Sequence, residues 1–499
     1  MLIGTADSCG ELGAALSTLP GWGSVAGAVT LDGARPTRAG LSLLGSVHTV
    51  GLICRQHGIA RAIVTLPAER RNWHQEISRQ LRAEGVVERV VHPLSEQIES
   101  SAGAQSPGIE LGSDVITRFR GVDLAELVGR TPHQIDEPLV SGVLRGQTVL
   151  VTGAGGSIGS ELVRRIARFA PERIVLMERS ENALFEIDRQ LGETFPGVER
   201  AALLHDVVDE ARTLAHLERW QPSVVFHAAA HKHVPLMEDH PAHAVTNNVF
   251  GTKSIADAAA AVGAERFVLI STDKAVNPAS VMGGTKRLAE RYVQSLAARV
   301  STKMSMVRFG NVLGSNGSVL TIWAEQIARG APITVTDERM TRFFMTIPEA
   351  ATLVLQSGSM SGREGRCGEV FVLDMGEPLP ILNVAKRFVR ACGREPVIAS
   401  SDKNAVAPGA GKVPIIVTGA RPGEKLHEQL SYEAEALRTT AHPGIWRLDH
   451  ENVPNADAIG TMVEDLGAVR DERSRRAVLN AMARHLPGLL ADAGAPAAA

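Results

Sequence analysis

An acidic and a basic side chain stand next to each other directly after a stretch that is typical of a buried strand. The apolar run at residues 267–270 predicts the strand, and Thr272 leads from it to Asp273 and Lys274. A carboxyl group and an amine in this position could exchange protons with one substrate, as in general acid–base catalysis. A second lysine, Lys286, follows twelve residues further along the chain. Because an isolated Asp-Lys pair is more often a solvated surface pair, the prediction depends on the elements around it.

A glycine-rich loop offers a place for a phosphate group. The sequence TVLVT at Thr148–Thr152 predicts a strand, residues 160–169 predict a helix, and GAGGSIG lies between them. Glycines in this context permit a tight turn and a close backbone approach to a pyrophosphate, which then lies at the helix N-terminus. The alternative is a cluster of turn glycines in an unrelated α/β domain. We predict a dinucleotide site at Gly153, Gly155, Gly156, Ser157, Ile158 and Gly159.

The ends of the next strands predict further contacts to a dinucleotide. The strand at residues 173–177 ends at Glu178, whose carboxylate could accept hydrogen bonds from the adenosine ribose. Arg179 beside it could instead bind a 2′-phosphate, so the sequence leaves both NAD and NADP open. Two later strands lead to further predicted cofactor contacts. Asp206 and Val207 follow the first and are predicted beside the adenine. Ala228, Ala229 and Ala230 follow the second, where the cofactor would cross the sheet edge.

The elements that must position these residues form a long alternation of strands and helices. From residue 147 to about 450 it predicts an α/β fold, a Rossmann-type doubly wound parallel sheet with a smaller substrate-binding lobe. The cofactor half is expected at about residues 147–305 and the substrate-binding segments at about 306–440. Residues 451–499 predict a polar helical extension followed by a flexible Ala/Gly/Pro tail.

Residues 1–105 predict a smaller α/β domain that precedes the catalytic one. The predicted strands are residues 24–31, 41–44 and 60–66, and the predicted helices are residues 49–57 and 73–84. The sequence IGTAD at residues 3–7 has no glycine fingerprint, so this domain is interpreted as a degenerate nucleotide fold without assigned chemistry. Residues 106–146 are interpreted as a connector with a short helix near residues 123–128.

The composition excludes several classes of protein. A formal net charge of -3 and a pI near 6.6 give no electrostatic reason to expect nucleic acid as a partner. Four cysteines without paired spacing argue against a disulfide framework and fit a reducing compartment. Apolar stretches fall short of the roughly 18 residues of a membrane-spanning helix, and the N-terminus lacks a signal-peptide pattern. We therefore expect a cytoplasmic protein without direct membrane insertion.

Histidines crowd one short stretch in which a metal site could be imagined. The residues concerned are His227, His231, His233, His240 and His243, together with Glu238 and Asp239. Their spacing fits no standard pair of ligands on one helix face, so we predict no metal.

Eight segments in a fixed order together resemble one enzyme family. They are VTGAGGSIGSEL, HAAAHKHVPLME, NNVFGT, STDKAVNP, TKRLAE, VRFGNVLGSNGSV, ERMTRFF and RPGEKLHE, and they run from about residue 147 to 430. The chain resembles the CapD-like polysaccharide-biosynthesis nucleotide-sugar 4,6-dehydratases of the extended short-chain dehydrogenase/reductase family. Its first 100 residues resemble the degenerate domain that precedes this core in longer members, which usually start with membrane helices.

The resemblance implies a redox-neutral dehydration of a UDP-linked amino sugar, with UDP-N-acetylglucosamine (UDP-GlcNAc) as the expected substrate, for surface polysaccharide or glycan biosynthesis. A tightly bound NAD or NADP would take hydride from C4 and return it to C6 after water has left. The resemblance also implies a homo-oligomer, at least a dimer, that would pair through helices at residues 241–262 and 282–299.

The resemblance assigns Asp273 as the acid for the C6 oxygen and Lys274 as the base for the C5 proton, with Thr272 beside them. One position departs from the superfamily, which has a tyrosine four residues before the second lysine, where this chain has Met282. A thioether cannot take the proton of the C4 hydroxyl. Either the protein only binds nucleotide, or Lys286, or Lys274 through water, takes that proton. We favour an active enzyme, because the other site residues are retained and a subset of the family resembles this chain in carrying Met.

The same motifs imply the remaining contacts. Asn248 and Lys286 would contact the cofactor. Asn311 and Ser318 would contact a phosphate, Arg339, Arg342 and Arg421 the diphosphate, and Glu424 the ribose hydroxyls, while Lys232 and His233 would also bind substrate.

Two other functions stay open at this point. A UDP-sugar 4-epimerase shares the fold and the first hydride transfer, but it eliminates no water and so has no need of the Asp-Lys pair. A non-catalytic nucleotide-sensing protein is suggested by Met282 and by the degenerate N-terminal domain.

Overall fold

The computed structural model describes residues 1–17, 25–36, 40–67, 70, 73–91, 124, 127, 129, 132–362, 368–399, 411–432, 436–449 and 453–490. The chain divides into two compact units, Met1–Val122 with Ala391–Gly393, and Asp123–Arg390 with Arg394–Ala499. The short helix predicted near residues 123–128 falls mostly outside the described residues, and the predicted tail after residue 490 falls wholly outside them.

The described residues of the first unit form a five-stranded parallel sheet flanked by helices. The strands are β1 (Leu2–Gly4), β2 (Ala28–Thr30), β3 (Leu43–Ser46), β4 (Arg61–Thr65) and β5 (Val87–Val90), and the helices are α1 (Ala6–Ser17), α2 (Val50–His57) and α3 (His74–Ala83). The strand order is β3-β2-β1-β4-β5. The strands and helices predicted in residues 1–105 lie here, and β1, α1 and β5 are additional.

The carboxyl end of β1 leaves little room for a phosphate loop. A Cβ on Gly4 would lie 2.0 Å from the carbonyl oxygen of Thr65. The Ser8 hydroxyl donates to the same oxygen at 2.8 Å, and the hydroxyls of Thr5 and Ser8 lie 2.9 Å apart. The first turn of α1 is therefore closed by its own side chains, in agreement with the prediction of a degenerate nucleotide fold.

The second unit carries the predicted site. Its strands are β6 (Thr148–Thr152), β7 (Arg173–Glu178), β8 (Glu199–Leu204), β9 (Val224–His227), β10 (Arg266–Ile270), β11 (Lys303–Arg308), β12 (Asn311–Leu313), β13 (Ile333–Val335), β14 (Thr341–Arg342), β15 (Phe344–Thr346), β16 (Glu369–Leu373), β17 (Leu379–Pro380), β18 (Glu395–Ile398), β19 (Lys412–Val417), β20 (Ala436–Thr439) and β21 (Ile445–Asp449). The main sheet runs β20-β21-β16-β11-β10-β9-β6-β7-β8, and short sheets β12-β15, β13-β19-β18 and β14-β17 form the smaller lobe.

The main sheet is parallel from β16 to β8, and β21 and β20 extend it antiparallel at one edge. In the order β8-β7-β6-β9-β10-β11, the chain first adds strands on one side of β6 and then, from β9 onward, on its other side. This change of side between β6 and β9 is typical of dinucleotide-binding folds. This confirms the predicted Rossmann-type sheet. Ligands of such sheets bind outside the carboxyl ends of the strands at the reversal point.

The helices of the second unit pack on both faces of the main sheet or in the smaller lobe. They are α4 (Glu137–Leu144), α5 (Ser157–Ala167), α6 (Glu181–Thr194), α7 (Glu210–Trp220), α8 (Val234–Asp239), α9 (Pro241–Ala244), α10 (Gly251–Ala261), α11 (Val281–Ala297), α12 (Val319–Ala328), α13 (Ile347–Met360), α14 (Ile381–Ala391), α15 (Ala456–Gly467) and α16 (Arg475–His485). A π-helical segment, Val245–Phe250, joins α9 to α10. In the part of the chain that the structure describes, no helix is both long enough and apolar enough to cross a membrane.

The helices expected to pair two copies are buried within this chain. Every residue of α11 except Arg287 and Arg291 is buried, and the apolar side chains of α10 belong to the same core. Helices α15 and α16 share that core, and the Met482 side chain lies 2.8 Å from the position of a Cβ on Gly284. Arg291 donates to the carbonyl oxygen of His485 at 2.7 Å. The C-terminal extension and the sheet already bury the apolar face of α11, and pairing of two copies through residues 241–262 and 282–299 stays a prediction.

Candidate active site

The glycine loop joins β6 to α5 at the reversal point of the sheet. Gly153 has a φ of 62°, a left-handed conformation that favours glycine, and a Cβ there would lie 2.8 Å from the Ala229 nitrogen. A Cβ on Gly159 would lie 2.0 Å from the carbonyl oxygen of Gly153. Gly156 directly precedes the first residue of α5. The loop therefore keeps its backbone close to the N-terminus of α5, where an anion is favoured.

A pocket of about 210 Å³ lies beside this loop. The Glu178 carboxylate accepts hydrogen bonds from the backbone N–H groups of Gly155 at 3.2 Å and of Arg179 at 3.0 Å. The guanidinium of Arg179 lies 3.8 Å from the Asp206 carboxylate. The pocket is lined by Gly153, Gly156, Met177, Glu178, Arg179, His205, Asp206, Val207, Ala228, Ala229, Ala230 and Asn247. The residues predicted at the ends of β7, β8 and β9 thus come together around one pocket.

Other predicted cofactor residues do not line the pocket but make contacts next to it. Asn248 is fully buried, and its amide nitrogen donates at 3.0 Å both to the His231 carbonyl oxygen and to the Thr285 hydroxyl. Ile158 packs against the core under α5. The Ser157 hydroxyl accepts a hydrogen bond from the backbone of Asn316 at 3.0 Å, which brings the glycine loop against the predicted phosphate loop of the smaller lobe.

Asp273 and Lys274 lie in a short 3-10 turn, Asp273–Ala275, at the carboxyl end of β10. Lys274 Nζ donates to Asp273 Oδ1 at 2.9 Å and to Asn311 Oδ1 at 3.0 Å. The Thr272 hydroxyl donates to the same Asp273 oxygen at 2.9 Å. The Asp273 side chain is fully buried, whereas that of Lys274 is 19% exposed. The predicted acid and base therefore share one hydrogen bond and have fixed orientations.

The second oxygen of Asp273 has a different environment. Oδ2 is buried and accepts no hydrogen bond from any described residue. A buried carboxylate oxygen without a partner costs free energy. A substrate hydroxyl that reached Oδ2 would relieve that cost, so this atom is suited to proton exchange with a ligand.

Lys286 lies near the start of α11 and is 5% exposed. Burial lowers the pKa of Lys286 to about 8, so part of its amine is neutral near physiological pH, as a base requires.

His227, fully buried at the end of β9, places its ring nitrogens 2.7 Å from the Thr152 hydroxyl and 3.1 Å from the Thr252 hydroxyl. Burial, and then the charge of Lys286, lowers the pKa of His227 to about 3, so this ring is neutral.

Met282, where the superfamily has a tyrosine, is 4% exposed and belongs to the apolar core of the main sheet. Its side chain has a packing role here, and Lys286 is the titratable residue one turn further along α11.

The turn that carries Asp273 rests on a buried ion-pair network whose members are not among the residues predicted from the sequence. Glu290 accepts hydrogen bonds from the Ser271 hydroxyl at 2.7 Å and from Arg308 Nε and Nη2 at 2.8 Å each. The side chains of Glu290 and Arg308 are both fully buried. Burial acts to raise the pKa of Glu290, but Arg308, Arg287 and Ser271 outweigh it and lower this pKa to about 2. The only sequence feature that could have indicated this network is the position of its members within or beside the STDKAVNP, TKRLAE and VRFGNVLGSNGSV segments.

Replacing Glu290 by glutamine is expected to lower the free energy of unfolding by about 3–5 kcal/mol, because Arg308 would stay buried without its carboxylate. Urea denaturation at pH 7 measures this loss. The matched control is Glu186→Gln, which removes an exposed carboxylate paired with Arg189 at 2.8 Å and should cost less than about 1 kcal/mol. A loss as small for Glu290→Gln as for the control would contradict a structural role of the network.

The smaller lobe presents several of the predicted substrate residues. Ser318 directly precedes α12, and its hydroxyl is buried without a hydrogen-bond partner among the described residues. A Cβ on Gly317 would lie 2.7 Å from the His233 ring, so this loop lies against the segment with Lys232 and His233. Arg339 is 57% exposed and pairs with Asp337 at 2.9 Å.

The RPGEKLHE segment supplies an exposed turn and a buried anchor. Arg421 is exposed, and its backbone N–H donates to the Glu424 carboxylate at 3.2 Å. Arg342 differs from its predicted role as a diphosphate contact, because it is buried and donates to the carbonyl oxygens of Lys425 at 2.8 Å and Leu426 at 3.2 Å. These bonds attach the segment to β14.

Within the described ranges, no three His, Cys, Asp or Glu side chains are grouped as metal ligands would be. Both ring nitrogens of His227 face hydroxyl groups, and His240 and His243 pack edge to face with their ring centroids 6.1 Å apart.

Comparison with known proteins agrees with this geometry. The sequence model of a family described as "Polysaccharide biosynthesis protein" matches residues 149–450, a range that contains every predicted site residue. The chain belongs to this family.

Members and structural neighbours extend the comparison. The chain is 40% identical over 426 residues to the capsular polysaccharide biosynthesis protein CapD of Staphylococcus aureus, covering 85% of this chain and 66% of that relative's length. It is 29% identical over 332 residues to a UDP-N-acetylglucosamine 4,6-dehydratase (inverting) of Campylobacter jejuni, covering 64% of this chain and 89% of the relative. The solved structure of Pen from Bacillus thuringiensis matches with a TM-score of 0.54 and 28% identity over 62% of this chain and 90% of that one.

Proposed function

We propose that this chain is an NAD(P)-dependent 4,6-dehydratase that converts UDP-GlcNAc, a UDP-N-acetylhexosamine, into a 4-keto-6-deoxy nucleotide sugar for surface polysaccharide biosynthesis. The observation that carries the proposal is the hydrogen-bonded Asp273–Lys274 pair at the carboxyl end of β10. An elimination needs an acid and a base on one sugar ring, and an epimerase does not. The likeness to a relative named as a UDP-GlcNAc 4,6-dehydratase over 89% of its length supports the same reaction.

The residues around the glycine loop fit a dinucleotide. Gly153 and Gly159 lack the Cβ atoms that would fill the loop, and the pocket beside them ends at the Glu178 and Asp206 carboxylates. These groups would hold the adenosine half, and Ala228 would lie where the cofactor crosses the sheet edge. When bound, the nicotinamide supplies a hydride acceptor for C4 and returns that hydride to C6.

The side chains of this chain would then move the protons. Lys286 takes the proton of the C4 hydroxyl, since burial keeps part of its amine neutral. The resulting C4 ketone acidifies the C5 proton, which passes to Lys274. Asp273 gives a proton to the C6 oxygen, which leaves as water, and Lys274 returns its proton to C5 when hydride is delivered to C6. Proton exchange with solvent then resets Asp273 and Lys286. Thr272 and Asn311 hold the pair in place through their hydrogen bonds. Such proton transfers contribute about 100- to 10,000-fold each.

The deciding experiment is incubation of the full chain with UDP-GlcNAc and either NAD or NADP, followed by NMR of the product. We expect a 4-keto-6-deoxy sugar. A galacto epimer would show a 4-epimerase instead, and unchanged substrate together with bound nucleotide would show a sensing protein. Either of these two outcomes overturns the proposed function.

A further inference from the structure

One segment of the smaller lobe contacts the catalytic turn at four successive residues. The turn and its continuation, residues 273–277, carry the Asp273–Lys274 pair, and the contacting segment is residues 425–432, which we name the clamp segment. The clamp segment is not part of the acid–base chemistry proposed above. Its contacts extend from Lys274 to Asn277, so they can determine where the pair lies.

Two of the contacts are hydrogen bonds to backbone oxygens of the turn. Lys425 Nζ donates to the Val276 carbonyl oxygen at 2.7 Å, and the Tyr432 hydroxyl donates to the Ala275 carbonyl oxygen at 3.2 Å. Both carbonyls follow directly after Lys274 in the chain. Because backbone groups cannot rotate away as side chains can, these bonds restrain the turn itself.

The other two contacts involve side chains. Asn277 Nδ2 donates to Gln429 Oε1 at 2.8 Å, and Glu428 Oε1 lies 3.9 Å from Lys274 Nζ. The Glu428 side chain is only 3% exposed. A buried carboxylate near Lys274 Nζ favours one position of that amine.

The turn ends in a backbone conformation that needs such support. Asn277 has a φ of 40°, in the left-handed region that residues other than glycine seldom adopt. Conformations of this kind persist when the surrounding structure holds them, and they are concentrated at functional sites.

The clamp segment is itself held rigidly. Arg342 donates to the carbonyl oxygens of Lys425 and Leu426, which fixes the start of the segment to β14. The Tyr432 ring lies against the guanidinium of Arg287, 5.0 Å from the ring centre, and Arg287 also pairs with Glu290 in the buried network. The clamp segment therefore joins the smaller lobe to the base of the catalytic turn.

We propose that the clamp segment holds the turn at residues 273–277 in its reactive position, and that Lys425 and Tyr432 are positioning residues for the Asp273–Lys274 pair. This inference rests on the proposed dehydratase function. The positioning residues exchange no proton with the substrate. They keep the C5 base and the C6 acid within reach of one sugar ring, and a misplacement of about 1 Å can cost about 100-fold in rate.

The test is the double variant Lys425→Met/Tyr432→Phe, which removes both backbone contacts and keeps the bulk of both side chains. We expect dehydration of UDP-GlcNAc to fall at least about tenfold. The KM for UDP-GlcNAc and the rate of nicotinamide reduction on mixing should stay within about twofold of the parent, because Lys286 lies on α11, outside the turn. The single variant Lys425→Arg, which keeps a hydrogen-bond donor at this position, should retain most of the parent rate of dehydration.

The chain offers a matched control. Its other tyrosine, Tyr292, donates to Asp257 at 2.6 Å, and Lys412 pairs with Glu395 at 3.8 Å, both away from the turn. The variant Lys412→Met/Tyr292→Phe should dehydrate UDP-GlcNAc at the parent rate.

The outcomes separate this inference from the proposed function. If the parent forms no 4-keto-6-deoxy sugar, the proposed function fails. If the parent forms it and the clamp variant forms it equally fast, positioning by the clamp segment is wrong. Equal losses in nicotinamide reduction and in dehydration, with a lowered melting temperature, would also overturn it, since they would show general destabilisation.

Discussion

Replacing Asp273 by asparagine is expected to slow the dehydration of UDP-GlcNAc by about 100-fold or more, while substrate and cofactor still bind. The amide keeps the shape of the side chain and can still accept the hydrogen bond from Lys274 Nζ, but it cannot give a proton to the departing C6 oxygen. Lys274→Met should cause a similar loss, because it keeps bulk and removes the base for the C5 proton.

Single-turnover absorbance of reduced nicotinamide provides the measurement. In both variants the reduced form should appear on addition of UDP-GlcNAc, since the proposed mechanism passes the C4 hydroxyl proton to Lys286, and little keto sugar should follow. Asp449→Asn, in which the lost carboxylate pairs with Arg438 at the antiparallel edge of the main sheet, is the control and should behave as the parent does. Product formation at the parent rate by Asp273→Asn would show that the assigned mechanism is wrong.

Replacing Lys286 by methionine is expected to block the reaction one step earlier. With Met282 in the apolar core, this variant has no base on α11 for the C4 hydroxyl, so nicotinamide reduction itself should fall by about 100-fold or more. Lys303→Met, on the exposed first residue of β11, serves as the control for loss of a lysine. Reduction at the parent rate in Lys286→Met would point to Lys274 acting through water instead.

The pH dependence of the parent tests the same assignment independently. Burial lowers the pKa of Lys286 from 10.5 to about 8, so the amine is mostly protonated below that pH and mostly neutral above it. A base must be neutral to accept a proton, and the rate of nicotinamide reduction should therefore rise with pH, reach half its maximum near pH 8 and level off above that pH. A rise that continued towards pH 10.5 would mean that a lysine with an ordinary pKa, and not the buried Lys286, is the base.

Several parts of the site could be predicted because they depend on local order alone. Glu178 ends a strand, and Asp206 and Ala228 lie just after strands. Because parallel strands place their carboxyl ends along one sheet edge, these residues share one pocket. The Asp273–Lys274 pair follows the same rule at the end of β10.

Other features of the site were not predicted because they depend on contacts distant in the sequence. Arg342 matches a motif that suggested a diphosphate contact, but its guanidinium is buried and donates to the carbonyl oxygens of Lys425 and Leu426, more than eighty residues further along the chain. Glu290 and Arg308 lie on different elements, α11 and β11, and neither has a spacing that reveals the pairing.

The sequence by itself predicted the alternation of strands and helices and the glycine loop, because local periodicity and residue type determine both, whereas the acid and base roles of Asp273 and Lys274 follow from the resemblance to the family. The tertiary structure alone decided that residues 456–485 fold over α11 and bury its apolar face, since an amphipathic helix does not specify its partner. It alone also lowered the pKa of Lys286, because desolvation depends on everything packed around the amine. The contacts of residues 425–432 with the turn at residues 273–277 likewise exist only once the smaller lobe has packed against the main sheet, which brings side chains about 150 positions apart into hydrogen-bond range.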